Sequence, residues 1–421
     1  MTIFDLFFSS ELPITEGDET RVGYYAGLIE SLFFVTEALT ILQWSRWSDH
    51  VGRKPVLLTG LFGLTLSMIS FGLSKSFWGL VISRCLAGLL NGNIGVLKSM
   101  MGELADETNI AQIMALVPIT WSTGGPMLGG WLSNPHERFP TIFGQSEFLK
   151  EHPYALPCFV AAGYCVFVWV LTLTCLEETV NVRRLSKSSD TSAIVDESTP
   201  SDQVQDPLTL KQILSYPRVV LAVLNYAFLS FLDISFRALQ PLVYTTSIPY
   251  GGLGLPPPSV GVALGAFGLA SGAFQAFVFV HIYNRLGPKT TFRVAISTYL
   301  PMFILFPLMN LSALHGGLNL LTWIELALQI SLYVLMDMGT INIYIRASAP
   351  NDRSLGATNG LSQTCVSITR AIGPAASTSL FALSLQRNLL GGNLVYVVFA
   401  AVTVCTIFVT RYLPEDIWHK T

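Results

Sequence analysis

Asp233 and Arg237 stand four residues apart inside a run that is otherwise apolar. Glu30, Glu37, Arg84, Asp337 and Arg370 share that setting. A charge in such surroundings is costly unless it meets an opposite charge, borders water or is protonated for part of the time. Groups held on those terms bind ions, pass protons or lock neighbouring segments together. Four residues make about one helical turn, so Asp233 and Arg237 can pair directly, as a structural ion pair or as part of a cavity wall. Glu30 and Glu37 lie seven apart, on one helix face about two turns from each other. Asp337 is nine residues from Arg346, about 13 Å along a helix axis and too far for direct neutralisation. It is therefore the first candidate for a carboxylate that takes up and releases a proton. Asp233 and the Glu30/Glu37 pair come after it.

The elements that must carry these charges follow from composition. Of 421 residues, 51% are hydrophobic and only 12% charged, about half the charge of a soluble domain. The apolar residues come in blocks, such as Tyr154 to Leu176 and Leu394 to Val409. Blocks of roughly 17–25 residues suit helices that cross a bilayer. A barrel would need alternation, which is missing. Eleven full spans are expected, at 23–44, 55–73, 77–99, 110–132, 154–176, 219–243, 260–282, 291–311, 319–343, 356–384 and 392–411. A polar segment near 177–217 divides five spans from six. Its centre, Ser186 to Asp206, is rich in Ser, Asp, Thr and Pro, so disorder is expected there. Three of the 24 Lys and Arg residues, Arg84, Arg237 and Arg370, fall within spans. One set of loops holds sixteen of the rest, and the other set holds Arg21, Lys75, Arg138, Lys150 and Arg387. The basic-rich side, with the long segment and the C-terminus, is predicted to be cytoplasmic.

Other chemistries find little support. The six cysteines lie in apolar blocks without metal-ligand spacing, and the histidines are scattered. No phosphate-cradling G-x-x-x-x-G-K-[ST] loop occurs. No nucleophile set suggests an enzyme. The net charge of −3 says nothing about partners. No cationic stretch leads an apolar one at the start, so no cleavable signal is read there.

The two halves repeat one another. Asp49-His50-Val51-Gly52-Arg53-Lys54 has a counterpart in Asn284-Arg285-Leu286-Gly287-Pro288-Lys289, and Gly125-Pro126 has one in Gly373-Pro374. Parallel repeats of this kind build two-bundle secondary transporters. Gly52 allows a tight turn, and Arg53 and Lys54 suit an anionic membrane face. Gly125-Pro126 kinks its helix, and Gly129 and Gly130 leave a bare face for close packing.

With these features in order, the chain resembles the major facilitator superfamily. Asp49-x-x-Gly52-Arg53-Lys54 is similar to the family's loop between helices two and three. Arg84-Cys85-Leu86-Ala87-Gly88 is similar to its fourth-helix motif. Gly125-Pro126-Met127-Leu128-Gly129-Gly130 is similar to the fifth-helix motif of proton-coupled antiporters. Trp44 to Val56 and Arg370 to Ala375 resemble the drug:proton antiporter and zinc-induced-facilitator-like branch of fungi and plants. The likeness runs from Gly23 to Leu413. Ser45 and Trp121 depart from it, standing where the family has Gly and a small residue. The family has twelve spans. By resemblance 23–44 is helix two, and 1–22, broken by Asp5, is a stub standing for the outer end of helix one.

The resemblance implies an all-α membrane protein of two pseudo-symmetric bundles. The expected division is 23–176 for the first bundle, 177–217 for a cytoplasmic linker and 218–421 for the second. It also implies proton-coupled efflux or antiport of a small solute by alternating access, with Asp49, Gly52, Arg53 and Lys54 as a conformational latch. Helices one, four, seven and ten line the family's cavity, so Arg84, Asp233, Arg237 and Asp337 fall on cavity helices. The expected partners are lipid, a small solute and protons, with no cofactor, no metal and no nucleic acid. A monomer in the plasma or vacuolar membrane is expected. The rival reading is a membrane sensor or regulator that keeps the fold without transporting.

Overall fold

A computed structural model of the chain describes residues 21–91, 124–176, 210–336 and 355–414, together with positions 96, 178, 344 and 348. The stub at 1–20, most of the linker, the first half of the 110–132 span and the Asp337 region lie outside these residues. Among the described residues every regular element is helical. The first bundle comprises α1 (Val22–Val51), α2 (Arg53–Leu73), α3 (Phe77–Leu90), α4 (Gly124–Leu132) and α5 (Ala155–Cys175). The second comprises α6 (Pro217–Thr245), α7 (Pro257–Phe274), α8 (Val280–Ser297), α9 (Tyr299–Gly316), α10 (Leu320–Met336), α11 (Leu355–Gln386) and α12 (Leu394–Thr410). Short helical turns at 135–138, 140–143 and 147–151 connect α4 to α5.

Local sequence explains most of the ends. Ser76 caps α3 by accepting the Gly79 amide at 3.2 Å. Pro217 opens α6 and Pro257-Pro258 open α7, where proline's missing donor does no harm. A π-helical stretch, Gln275–Phe279, joins α7 to α8. The first helix is longer than its apolar run. It continues through the expected loop to Val51, and α2 starts at Arg53, so one residue makes the turn. That residue, Gly52, has φ 109° and ψ 161°. The expected second-half loop also shrinks to a single residue, Gly287, at φ 73° and ψ 170°. Side chains strongly disfavour this region. The sequence repeat is thus a backbone repeat, a helix broken by one glycine.

Lipid offers little hydrophobic drive for helix pairing, so shape complementarity must hold the bundles. In the second bundle Phe236 of α6 meets Tyr299, Phe303 and Phe306 of α9 and Tyr333 of α10, at centroid distances of 4.9–6.3 Å. Phe267 of α7 stacks on Tyr333 at 4.0 Å. In the first bundle Phe71, Phe77, Leu80 and Tyr154 form a smaller core.

Two seams join the bundles. At one, α1 packs on α11. A side chain on Gly23 would meet the Thr378 carbonyl at 2.7 Å, and one on Gly27 would run into Thr378 and the Pro374 carbonyl. At the other, α4 packs on α7, and a side chain on Gly130 would meet the Pro257 carbonyl at 2.5 Å. Both approaches lie toward the ends of the helices that carry few basic residues.

Candidate functional site

Asp233 and Arg237 pair as their spacing predicts. Arg237 Nε donates to both carboxylate oxygens, at 2.9 and 3.0 Å. The Tyr333 hydroxyl of α10 donates to Asp233 Oδ1 at 3.3 Å. The guanidinium carbon lies 5.6 Å from the centre of the Tyr333 ring. A cation over an aromatic face is attracted to it, so Tyr333 touches both members of the pair. The pair is not sealed: the Arg237 side chain is 40% exposed and that of Asp233 25%. It is an accessible charge centre on a rigid aromatic wall.

A second polar rung lies two turns along α6. Gln240 Nε2 donates to the Tyr244 hydroxyl at 3.1 Å, and that hydroxyl donates to Gln329 Oε1 of α10 at 2.7 Å. Gln329 Nε2 then donates to the Met302 carbonyl of α9 at 2.9 Å. All three side chains are buried. A buried polar network with its groups satisfied makes a stiff joint. It fixes α6 against α10 and so fixes the spacing of Asp233 and Tyr333. Between α7 and α10, the helices that carry Phe267 and Tyr333, lies an open groove of about 550 Å³, lined by Ala263, Ala266, Ala270, Trp323, Ala327 and Ser331 among others. Its size and apolar lining suit a small organic molecule.

In the first bundle the charges are handled differently. Arg84 is 4% exposed. Its guanidinium carbon lies 4.9 Å from the Phe71 ring centre and 6.0 Å from that of Phe33. Glu37 is buried and accepts from Asn91 Nδ2 at 2.9 Å. Glu30 is half-buried on the same helix. Arg370 is exposed on α11, one turn before Gly373-Pro374. Asp337 lies outside the described residues, so its setting is not part of this geometry.

The turn at Gly52 is held from the start of the linker. The backbone amides of Arg53 and Lys54 donate to the two carboxylate oxygens of Glu178, at 2.8 and 3.0 Å. An anion at a helix N-terminus is favoured by the unpaired amides and the helix dipole. A side chain at Gly52 would meet Glu178 Oε2 at 2.6 Å, so the glycine also makes room. Arg53 Nη1 donates to Ser48 Oγ at 2.6 Å, and Lys54 Nζ to the Leu173 carbonyl at 2.9 Å. These contacts all run within the first bundle. The Asp49 side chain lies outside the described residues. Of the fifth-helix motif, Gly129 and Gly130 are buried, with Gly130 against α7. Gly125 has open space beside it among the described residues, and the Pro126 side chain is not described.

Sequence reasoning missed Tyr333, Gln240, Gln329 and Glu178. The glutamines were open to it, because a polar side chain in an apolar run obeys the same rule that marks the charges.

Comparison with known proteins agrees with this architecture. The model of the Major Facilitator Superfamily matches residues 4–374. The efflux pump azaK of Aspergillus niger is 30% identical, over 99% of this chain and 85% of its own length. The protein ZINC INDUCED FACILITATOR 1 of Arabidopsis thaliana is 29% identical, over 93% of this chain and 83% of its own. A bacterial homologue of the human lysosomal transporter Spinster, crystallised inward-facing and unoccupied, superposes with a TM-score of 0.67 at 13% identity. That match covers 100% of this chain and 96% of the other.

Proposed function

Because this chain belongs to the Major Facilitator Superfamily and is a membrane transporter rather than an enzyme, we propose that it exports a small organic solute in exchange for protons. The observation that carries this reading is the Asp233–Arg237 pair. It is partly open and touched by Tyr333, whose helix α10 also borders an open apolar groove with α7. Both seams close toward the basic-poor ends. With the basic-rich face in the cytoplasm, as the positive-inside rule assigns it, this is an outside-closed state.

The cycle then follows from charge balance. While Arg237 holds Asp233, the carboxylate is ionised and the pair is neutral overall. Both residues sit on α6, so rocking of the bundles changes the side from which the pair is reached, and the pair itself opens by side-chain rotation when the site faces outward. A lone carboxylate in an apolar wall is costly, and taking up a proton from the outer side relieves it. The released Arg237 faces the cavity. Return to the inside re-forms the pair and expels the proton. Asp337 and the Glu30/Glu37 pair remain further proton candidates. Asp49, Gly52, Arg53 and Lys54, with Glu178, steady the hinge between α1 and α2. We place the protein as a monomer in the plasma or vacuolar membrane, with residues 177–217 as a cytoplasmic linker.

The test is solute profiling of the chain in a transporter-deficient host, with and without a protonophore. Export of a solute that stops when the proton gradient collapses supports the proposal. Export that persists unchanged contradicts proton coupling, and equal solute levels with and without the chain contradict export itself.

A further inference from the structure

Residue Ser31 of α1 is buried at the α1–α11 seam. Its Oγ accepts a hydrogen bond at 2.9 Å from the backbone amide of Ala375, in the other bundle. Inside a helix a backbone amide normally serves its own ladder, so such a bond needs a cause. The cause is Pro374. Proline has no N–H, and its ring crowds the carbonyl one turn back, which weakens the helix ladder beside it. Ala375 is the next residue. Ser377 Oγ and Thr378 Oγ1 both donate to the Pro374 carbonyl, at 3.1 and 2.8 Å, so the turn after the proline has side-chain support on its other side. Gly27, one turn before Ser31, lets α1 come close enough for the bond to form.

Among the described residues the second seam shows no such bond. Val22-Gly23-x-x-x-Gly27 in α1 repeats as Val260-Gly261-x-x-x-Gly265 in α7. The residue that takes the place of Ser31 in this register is Leu269, which has no acceptor. Leu269 is 56% exposed, where Ser31 is 5%. Among the described residues, one seam is therefore held by shape and a polar bond and the other by shape.

We propose that Ser31 is a positioning residue for alternating access, whose hydroxyl holds the Pro374 turn of α11 and so biases the molecule toward the state with the basic-poor ends together. When the ends part, Ala375 N–H loses this acceptor inside the membrane, where an unpaired amide is costly. The bond thus favours one state over the other. This inference rests on the alternating-access reading but on neither proton coupling nor substrate.

The experiment reads distance and not transport, so it fails separately from the proposed function. Spin labels are attached through non-natural amino acids at Gln145 and Leu318 in the full chain, which leaves the native cysteines in place. Gln145 and Leu318 are exposed, one in the α4–α5 connection and one between α9 and α10. In Ser31→Ala the ratio of long to short separations should rise about two- to tenfold, the span set by one net hydrogen bond. Ser31→Cys, a weaker acceptor of similar size, should lie between Ser31→Ala and the parent. Leu269→Ala should leave the ratio at the parent value. A parent-like ratio in both Ser31 variants overturns the proposal. So does an equal rise in Leu269→Ala, which would mean that any loss of bulk at a seam opens it.

Discussion

In the first bundle Arg84 is 4% exposed, with Phe71 and Phe33 beside it, whereas in the second the Arg237 side chain stays 40% exposed while it grips Asp233. Both are cations on helices that line the family's cavity. Their settings assign them different work. A buried cation among rings and polar partners resists any change of state and stiffens its bundle. A half-open ion pair can exchange its partner for solute or proton. On the proposed function, the first bundle serves as a frame and the second as the working wall.

If that contrast is right, the largest loss of protein should come from the frame. Truncating a buried side chain packed on the Phe71 and Phe33 rings leaves a cavity, at a cost of about 2–5 kcal/mol. Arg84→Ala should therefore strip the protein from the membrane fraction, while Arg237→Ala leaves most of it in place. Quantitative blotting of both variants decides this, and equal abundance would erase the contrast.

A smaller effect separates the two single-glycine turns. Alanine at either position forces a strained backbone, roughly 1–3 kcal/mol. At Gly52 it also pushes on Glu178, whereas at Gly287 there is open space among the described residues. Gly52→Ala should lower the melting temperature more than Gly287→Ala. The reverse order would mean that Glu178 is not a working part of the turn.

Smaller still is the loss of one hydroxyl from the wall. Tyr333→Phe keeps the stack on Phe267 and removes the bond to Asp233, worth about 1 kcal/mol at this length. Abundance should hold while gradient-driven export falls about fivefold. A matching fall in abundance would make Tyr333 a packing residue.

The smallest effect belongs to Lys75 and Glu151, paired at 2.6 Å on the surface. The hydrogen bond and charge of Lys75 hold the Glu151 carboxyl below its usual range. Whatever stability this adds is present at neutral pH and lost as pH falls through that lowered range. Both side chains are exposed, and exposed pairs often contribute nothing measurable. Lys75→Ala should melt with the parent at pH 7. A clear drop would mean that the outer connection bears on the frame.

Much of this was legible in the sequence. Apolar runs marked the membrane helices because lipid leaves few other backbone solutions. The spacing of Asp233 and Arg237 foretold their bond, and the Gly52 and Gly287 repeats foretold two turns. The helix ends were harder. The last turns of α1, toward Val51, extend past the apolar run, and hydropathy is silent once a helix leaves the hydrocarbon. Tyr333 looked like packing, since an aromatic in an apolar run gains a polar role only from its neighbour across the bundle. Glu178 sat in a stretch read as the edge of a linker, and only the fold brings it to Gly52, 126 positions earlier. Ser31 was one serine among many until the fold brought the Ala375 amide, next to Pro374, to its hydroxyl.

The most direct test of the working wall sets Asp233→Asn beside Glu37→Gln in proteoliposomes under an imposed pH gradient. Each change keeps the shape and removes the titration. Asp233→Asn should abolish solute accumulation against its gradient while equilibrium exchange continues, and Glu37→Gln should keep accumulation near the parent level for equal protein. Accumulation that survives in Asp233→Asn and is lost in Glu37→Gln would put the coupling in the first bundle and contradict the account.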